Sequence, residues 1–296
     1  MGNILTKQFY RQRKDFEDSC AGRDSELTFP EGVRCSTDIA YADDGIKAHM
    51  LDIYRPEDSQ EKILPVIINV HGGGLIIGNK EFNRYFCALL CKKGFLVYSI
   101  EYRLIPDCLI YDQIADVFMA MDYIKERLAA DGGDSSHVYM AGDSGGACLI
   151  TYANAIQNST NIARAANVTP SGLRINALGL ISGMFYTSRF DKIGLFLPKY
   201  LYGRDYKKTP FAKYVNPENR ELLNSLAPVW LVTSHNDFLR RYTTDFEKAL
   251  TRAEREHELV VFPKNKKLTH AFSVFEPFLP ESSAVIDMMV EYLRKF

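Results

Sequence analysis

Hydrophobic positions along this chain fall into two rhythms that take turns. Continuous apolar runs of strand length recur at residues 63–70, 95–100, 138–141, 175–181, 228–233 and 259–262. Between them, apolar residues return at three-to-four spacing over 81–92, 114–130, 146–156, 242–257 and 282–296, which predicts helices. Strands that read as unbroken apolar runs are buried on both faces, so the alternation predicts an α/β fold with a mostly parallel central sheet flanked by helices on both faces. Residues 36–56 alternate singly about Asp43-Asp44-Gly45, whose Asp-Gly favours a hairpin, and predict an antiparallel pair at one sheet edge. Two stretches depart from this pattern. Residues 1–30 are charged but place Leu5, Phe9, Phe16 and Cys20 at helical spacing. They read as a surface helix, as part of a lid, or as a basic amphipathic helix that touches membrane. Residues 183–226 are rich in aromatics and carry little regular pattern. With no internal repeat and no linker-like composition, one domain spanning 1–296 is expected.

Bulk composition narrows the partners. The chain is 296 residues long, 46% hydrophobic and 25% charged, as an ordinary globule with a substantial core is. A net charge of −1 gives no reason to expect nucleic acid. The six cysteines (Cys20, Cys35, Cys87, Cys91, Cys108 and Cys148) are scattered, without C-x-x-C pairs or metal-ligand spacing. They point to a reduced, cytoplasmic setting. No run approaches the roughly 18 apolar residues of a membrane span, so no integral membrane segment is expected. Residues 1–6 fit the loose N-myristoylation pattern, and Asn158 and Asn167 open glycosylation sequons. The sequence leaves a homo-oligomer open.

The candidate chemistry centres on Gly142-Asp143-Ser144-Gly145-Gly146, which joins the apolar run at 138–141 to the helical stretch after it. A G-x-S-x-G between strand and helix reads as a nucleophile elbow, a turn so tight that it pushes the serine hydroxyl out over the sheet. The same letters surround the active serine of chymotrypsin-like proteases. Those place histidine and aspartate before a serine late in an all-β chain, whereas Ser144 lies mid-chain in an α/β pattern. The hydrolase order is serine, acid, histidine, each just past a strand. Among six histidines, His270 alone follows the last strand, while His235 would precede the best acid. That acid is Asp237, four residues after the strand at 229–233; the competing reading makes it an N-cap for the helix that follows. His71-Gly72-Gly73-Gly74 directly follows a buried strand and reads as an oxyanion loop. Backbone N–H groups of Gly72, Gly73 and Gly145 are the expected donors. A phosphate cradle is the rival, but G-K-[ST] and G-x-G-x-x-G are both absent.

With the His71 loop and Gly78, Tyr102-Arg103-Leu104 with Pro106, the Ser144 elbow and the Asp237 and His270 segments, the sequence resembles the hormone-sensitive-lipase-like α/β-hydrolases, which are mostly carboxylesterases. The resemblance implies a cap built from 1–30 and 183–226, with Met184, Phe185, Tyr186, Phe190, Phe196, Tyr200 and Tyr202 lining it. A core role for those aromatics is the alternative. Where the family usually has alanine after the serine, this chain has Gly145, a change expected to matter little because the donor is kept. Leu75, Ile76 and Ile77 replace the usual aromatic and are expected, with Phe185, to shape the acyl pocket. The expected activity is hydrolysis of small or medium esters through an acyl-enzyme, with no metal or cofactor and a small-molecule ester as partner. The alternatives are an amidase or peptidase with the same triad, and a non-catalytic ligand-binding protein on a hydrolase fold.

Overall fold

Strand β3 (Leu64–Val70) is buried along almost its whole length, and the sheet is built outward from it. The computed structural model describes residues 2–59 and 62–296; Met1, which opens the acylation-like pattern, lies outside them. In chain order the elements that position the site are α1 (Gly2–Glu26), β1 (Val33–Ala40), β2 (Met50–Pro56), β3, α2 (Arg84–Lys92), β4 (Leu96–Ile100) and α3 (Ile110–Arg127). There follow β5 (Gly133–Asp143), α4 (Ser144–Asn158), α5 (Thr160–Ala166), β6 (Ala177–Ile181), α6 (Lys192–Phe196), β7 (Val229–Ser234), a helix at Arg240–Arg252, β8 (His257–Phe262) and a closing helix at Pro280–Leu293.

The strands form one eight-stranded sheet in the order β1-β2-β4-β3-β5-β6-β7-β8. The β1–β2 and β2–β4 pairs are antiparallel and every other pair is parallel. This is the α/β architecture the apolar runs predict. Its two faces carry separate apolar cores. One holds Ile68, Val70, Leu149 and Ile150 beneath α3 and α4; the other holds Ile67, Val97, Trp230 and Met289 beneath α2 and the closing helix. α4 has no polar face because it is wedged between the sheet and its neighbouring helices, so it is buried from Ser144 to Ile156.

Two details differ from the periodicity. The edge pair does not turn tightly at Asp44-Gly45. β2 starts at Met50, and His49 is buried in the loop before it, between Asp44 and Asp116. His257 lies not on the preceding helix but at the start of β8, since that helix ends at Arg252 and the chain reverses through Glu254 at positive φ.

Parallel strands set the carboxyl ends of β3, β5, β7 and β8 along one rim. Every residue singled out for chemistry sits just past that rim, where open α/β sheets place ligands.

Candidate active site

β5 runs straight into α4 with no connecting residues, so the first helical position, Ser144, is forced to φ 50°. A side chain on Gly146 would sit 2.2 Å from the Val70 carbonyl oxygen, so only glycine lets the helix start this close to β3. That is why the pentapeptide needs small residues around the serine. The turn fixes Ser144 at the head of α4, where the helix dipole and unpaired N–H groups favour negative charge.

His270 Nε2 stands 2.9 Å from Ser144 Oγ, and His270 Nδ1 stands 2.8 Å from Asp237 Oδ1. A carboxylate at Nδ1 holds the proton there and leaves Nε2 as an acceptor for the serine hydroxyl. Asp237 is held from three sides. Its Oδ1 also accepts from the Leu239 N–H at 2.8 Å, and its Oδ2 accepts from Thr233 Oγ1 at 2.8 Å. Burial works to raise the Asp237 carboxyl, but the His270 hydrogen bond and charge and the Leu239 N–H outweigh it, and the group lies below the usual carboxylate range. The N-cap reading does not hold, because Leu239, not Asp237, occupies the cap of the helix at Arg240–Arg252. His235 is exposed and joins none of these contacts.

The glycine loop requires a correction. The Gly72 N–H, expected to face a substrate oxygen, donates instead to Asp143 Oδ1 at 3.0 Å. Gly73 (φ 102°) and Gly74 (φ 62°) then turn the chain so that these two line the same cavity as Ser144. Gly73 and Gly74 are thus the loop glycines that reach the cavity, beside Gly145 at the start of α4. Gly145 is also not interchangeable with alanine as expected: a Cβ there would lie 2.8 Å from Leu75 N and 2.9 Å from Gly74 N. The loop has moved into the space an alanine methyl would fill.

Three residues in this frame, Asp143, Asn83 and Glu101, escaped the sequence reading. Asp143, fully buried beneath the nucleophile, accepts from Gly72 and from Asn83 Nδ2 at 2.9 Å and so ties the elbow to the glycine loop. Burial raises its carboxyl above the ordinary value, although Asn83 and the nearby histidines pull the other way. Glu101 accepts from the Lys80 N–H and pairs with His71 Nε2 at 2.9 Å. Burial works against charge on His71, but Glu101 prevails and the imidazole is raised. His71 also stacks on Tyr102, whose hydroxyl donates to the His71 carbonyl at 2.8 Å. The one available signal was a charged residue inside the small-residue elbow.

Above Ser144 lies an apolar cavity of about 410 Å³, within the range of small-molecule sites. Ile76 and Ile77 line it, as do Phe9 and Phe16 of α1 and Met184 and Phe196 of the 183–226 segment. Leu75 and Phe185 do not. Leu75 is fully buried at positive φ, and its carbonyl accepts from Ile105 N and Gln113 Nε2. Phe185 stacks on Phe246 with centroids 4.1 Å apart, inside the core. Tyr186 and Tyr202 are likewise core residues, Tyr200 packs edge-on against Phe9, and Phe190 points into solvent. Among the described residues no group of three or more His, Cys, Asp or Glu is arranged to hold a metal ion.

Residues 67–273 match the family described as the alpha/beta hydrolase fold. The chain belongs to that family. It is a hormone-sensitive-lipase-like α/β-hydrolase. Among α/β-hydrolase relatives, it is 29% identical over 184 residues to a probable isoprenylcysteine alpha-carbonyl methylesterase of Oryza sativa, covering 58% of this chain and 44% of that one. It is 32% identical over 120 residues to esterase LipQ of Mycobacterium tuberculosis, covering 40% of this chain and 28% of that one. The chain thus spans less than half the length of these curated relatives. Among solved structures, esterase B from Lactobacillus rhamnosis superposes with a TM-score of 0.92 at 22% identity, covering 100% of this chain and 96% of that one. A likeness at that identity speaks for the fold alone.

Proposed function

We propose that this chain is a serine carboxylic-ester hydrolase, with Ser144 as nucleophile, His270 as general base and then acid, and Asp237 as the group that orients and stabilises the imidazolium. The observation that carries this is the unbroken Asp237–His270–Ser144 relay at 2.8 and 2.9 Å, at the floor of an apolar cavity. His270 takes the hydroxyl proton as Ser144 Oγ attacks the ester carbonyl, and returns it to the departing alcohol. Oxyanion charge is received by backbone N–H groups of Gly73, Gly74 and Gly145, each such donor being worth about 3 kcal/mol at the transition state. Water activated by His270 then releases the acid from the acyl-enzyme. Segments 1–30 and 183–226 act as a cap, since both lend side chains to the cavity wall.

Esterase names among the relatives favour ester over amide. The apolar wall favours an uncharged hydrocarbon acyl group. Ser144→Ala is expected to lower kcat on short p-nitrophenyl esters by about a million-fold and to abolish labelling by a fluorophosphonate. Full retention of either would overturn the assignment. Matched esters and anilides test the amidase reading, which predicts comparable turnover of both.

A further inference from the structure

The cavity opens through an unusual surface. Phe196 and Phe238 both line it and yet are 54% and 74% exposed, so they form its rim. Phe190 and Leu195, on the same cap stretch as Phe196, are 91% and 55% exposed and line nothing. Single exposed apolar residues need no explanation, but a group of large ones around one opening marks an interaction site. Charge around the opening is equally uneven. Three segments frame it: 4–14 of α1, 183–204 of the cap and 238–244 after Asp237. Their exposed cations include Lys7, Lys14, Lys192, Lys199 and Arg204, whereas Arg11 and Arg241 pair with Asp15 and Asp245. Asp191 is the one acidic residue of 183–204, and it is spent capping α6 and accepting from Tyr242, while Asp15, Asp205 and Asp245 directly follow the three segments. In a chain of net charge −1 this leaves a local excess of positive charge, carried mainly by the cap stretch.

From this juxtaposition we infer that the mouth of the cavity docks onto an anionic lipid surface, with the aromatic rim entering the headgroup–acyl boundary and the flanking lysines and arginines meeting the lipid phosphates and carboxylates. Aromatics and leucine beside lysine and arginine are the side chains that hold a protein at such an interface, and each cation adds affinity only where the lipid is negative. The occupant is a lipid surface rather than a second copy of the chain, because two such rims facing each other would bring cations against cations. Docked this way, the cavity would take lipophilic esters directly from the membrane plane; that consequence rests on the ester-hydrolase reading, whereas the docking itself does not.

Flotation of the full chain with vesicles of phosphatidylcholine alone, and with about 30% phosphatidylserine added, tests it. The protein is expected to float with the anionic vesicles, to be released by raised salt, and to stay largely free of the neutral ones. The double variant F190S/L195S, which touches no cavity-lining residue, is expected to lose about tenfold in partitioning, and so is the charge variant K7E/K199E. Both are expected to keep wild-type turnover of a water-soluble short ester, which also reports that they fold. Equal binding to neutral and anionic vesicles, no binding to either, or unchanged binding of both variants would overturn the proposal. So would sedimentation showing a dimer that F190S/L195S dissociates. A chain that floats as expected but turns over no ester would leave the docking standing and remove the enzyme reading.

Discussion

Replacing Gly145 by alanine is the sharpest test of how the site is assembled, because the resemblance implies alanine is ordinary there and the geometry says otherwise. The added methyl would meet Leu75 N at 2.8 Å, Gly74 N at 2.9 Å and Gly74 Cα at 3.0 Å. All three are backbone atoms, so no side chain can swing away. An unstrained carbon contact needs roughly 3.5 Å or more, so the loop must retreat by about 0.5 to 0.7 Å. It cannot do so freely. The Leu75 carbonyl accepts from Ile105 N and Gln113 Nε2, both at 3.0 Å, and the Leu75 side chain is fully buried. Retreat therefore either strains those contacts or moves the Gly73 and Gly74 N–H groups off the oxyanion position. The first route costs about 1–3 kcal/mol of stability, as overpacking does. The second costs roughly 10- to 100-fold in kcat, since a donor misplaced by a fraction of an ångström loses much of what a whole donor supplies. Steady-state kinetics on a short p-nitrophenyl ester should show the loss in kcat with KM nearly unchanged, because the donors act on charge that develops after binding. Gly22→Ala is the matched control. Its methyl would meet nothing within 4 Å, so it should leave kcat alone and add up to about 1 kcal/mol through helix propensity. If Gly145→Ala keeps both wild-type kcat and wild-type urea midpoint, the close approach of the glycine loop to the elbow is not obligatory and the reasoning fails.

Further outcomes follow from the same geometry. Asp237→Asn should lower kcat by about 10⁴ with the fold retained by circular dichroism, since the amide disfavours the productive imidazole tautomer. The same carboxyl has a pH signature. Its folded value lies below its unfolded value of about 3.9, so its stabilisation is fully present above that pH and is lost as pH falls through the lower folded value. Urea midpoints followed on acidification should converge between wild type and Asp237→Asn, and parallel curves would refute the pairing. Ile77→Trp should shorten the acyl chain accepted without unfolding the protein, whereas Phe185→Ala should cost about 3–5 kcal/mol and leave chain-length preference unchanged. The reverse pattern would put Phe185, not Ile77, in the cavity wall.

Residues whose position is set by the strand rhythm were legible, and those set by a twist of backbone were not. Unbroken apolar runs of strand length, bounded by turn residues, read as doubly covered strands, and from them the parallel sheet follows. Ser144, Asp237 and His270 each stand within eight residues past such a run, so their meeting could be anticipated from order alone. Which N–H in a run of glycines faces the cavity cannot be counted that way. It depends on Gly73 and Gly74 adopting positive φ, and on Asp143 pulling the Gly72 N–H to the other side. The same limit explains the cap. In a segment without periodicity nothing distinguishes Phe185, which stacks on Phe246, from Phe196, which reaches the cavity. Yet the two failures share a cause that says something about the site. Asp143 carries no role in the sequence pattern, and Gly145 reads there as a neutral variant of alanine. Both are where the elbow and the glycine loop touch: Asp143 holds the loop from below by the Gly72 N–H, and the missing Gly145 side chain lets it close from above. The proposed nucleophile and oxyanion donors are thus joined by direct contact between the ends of β3 and β5, and not through the core. A change on either side of that contact should alter the rate well before it alters the fold.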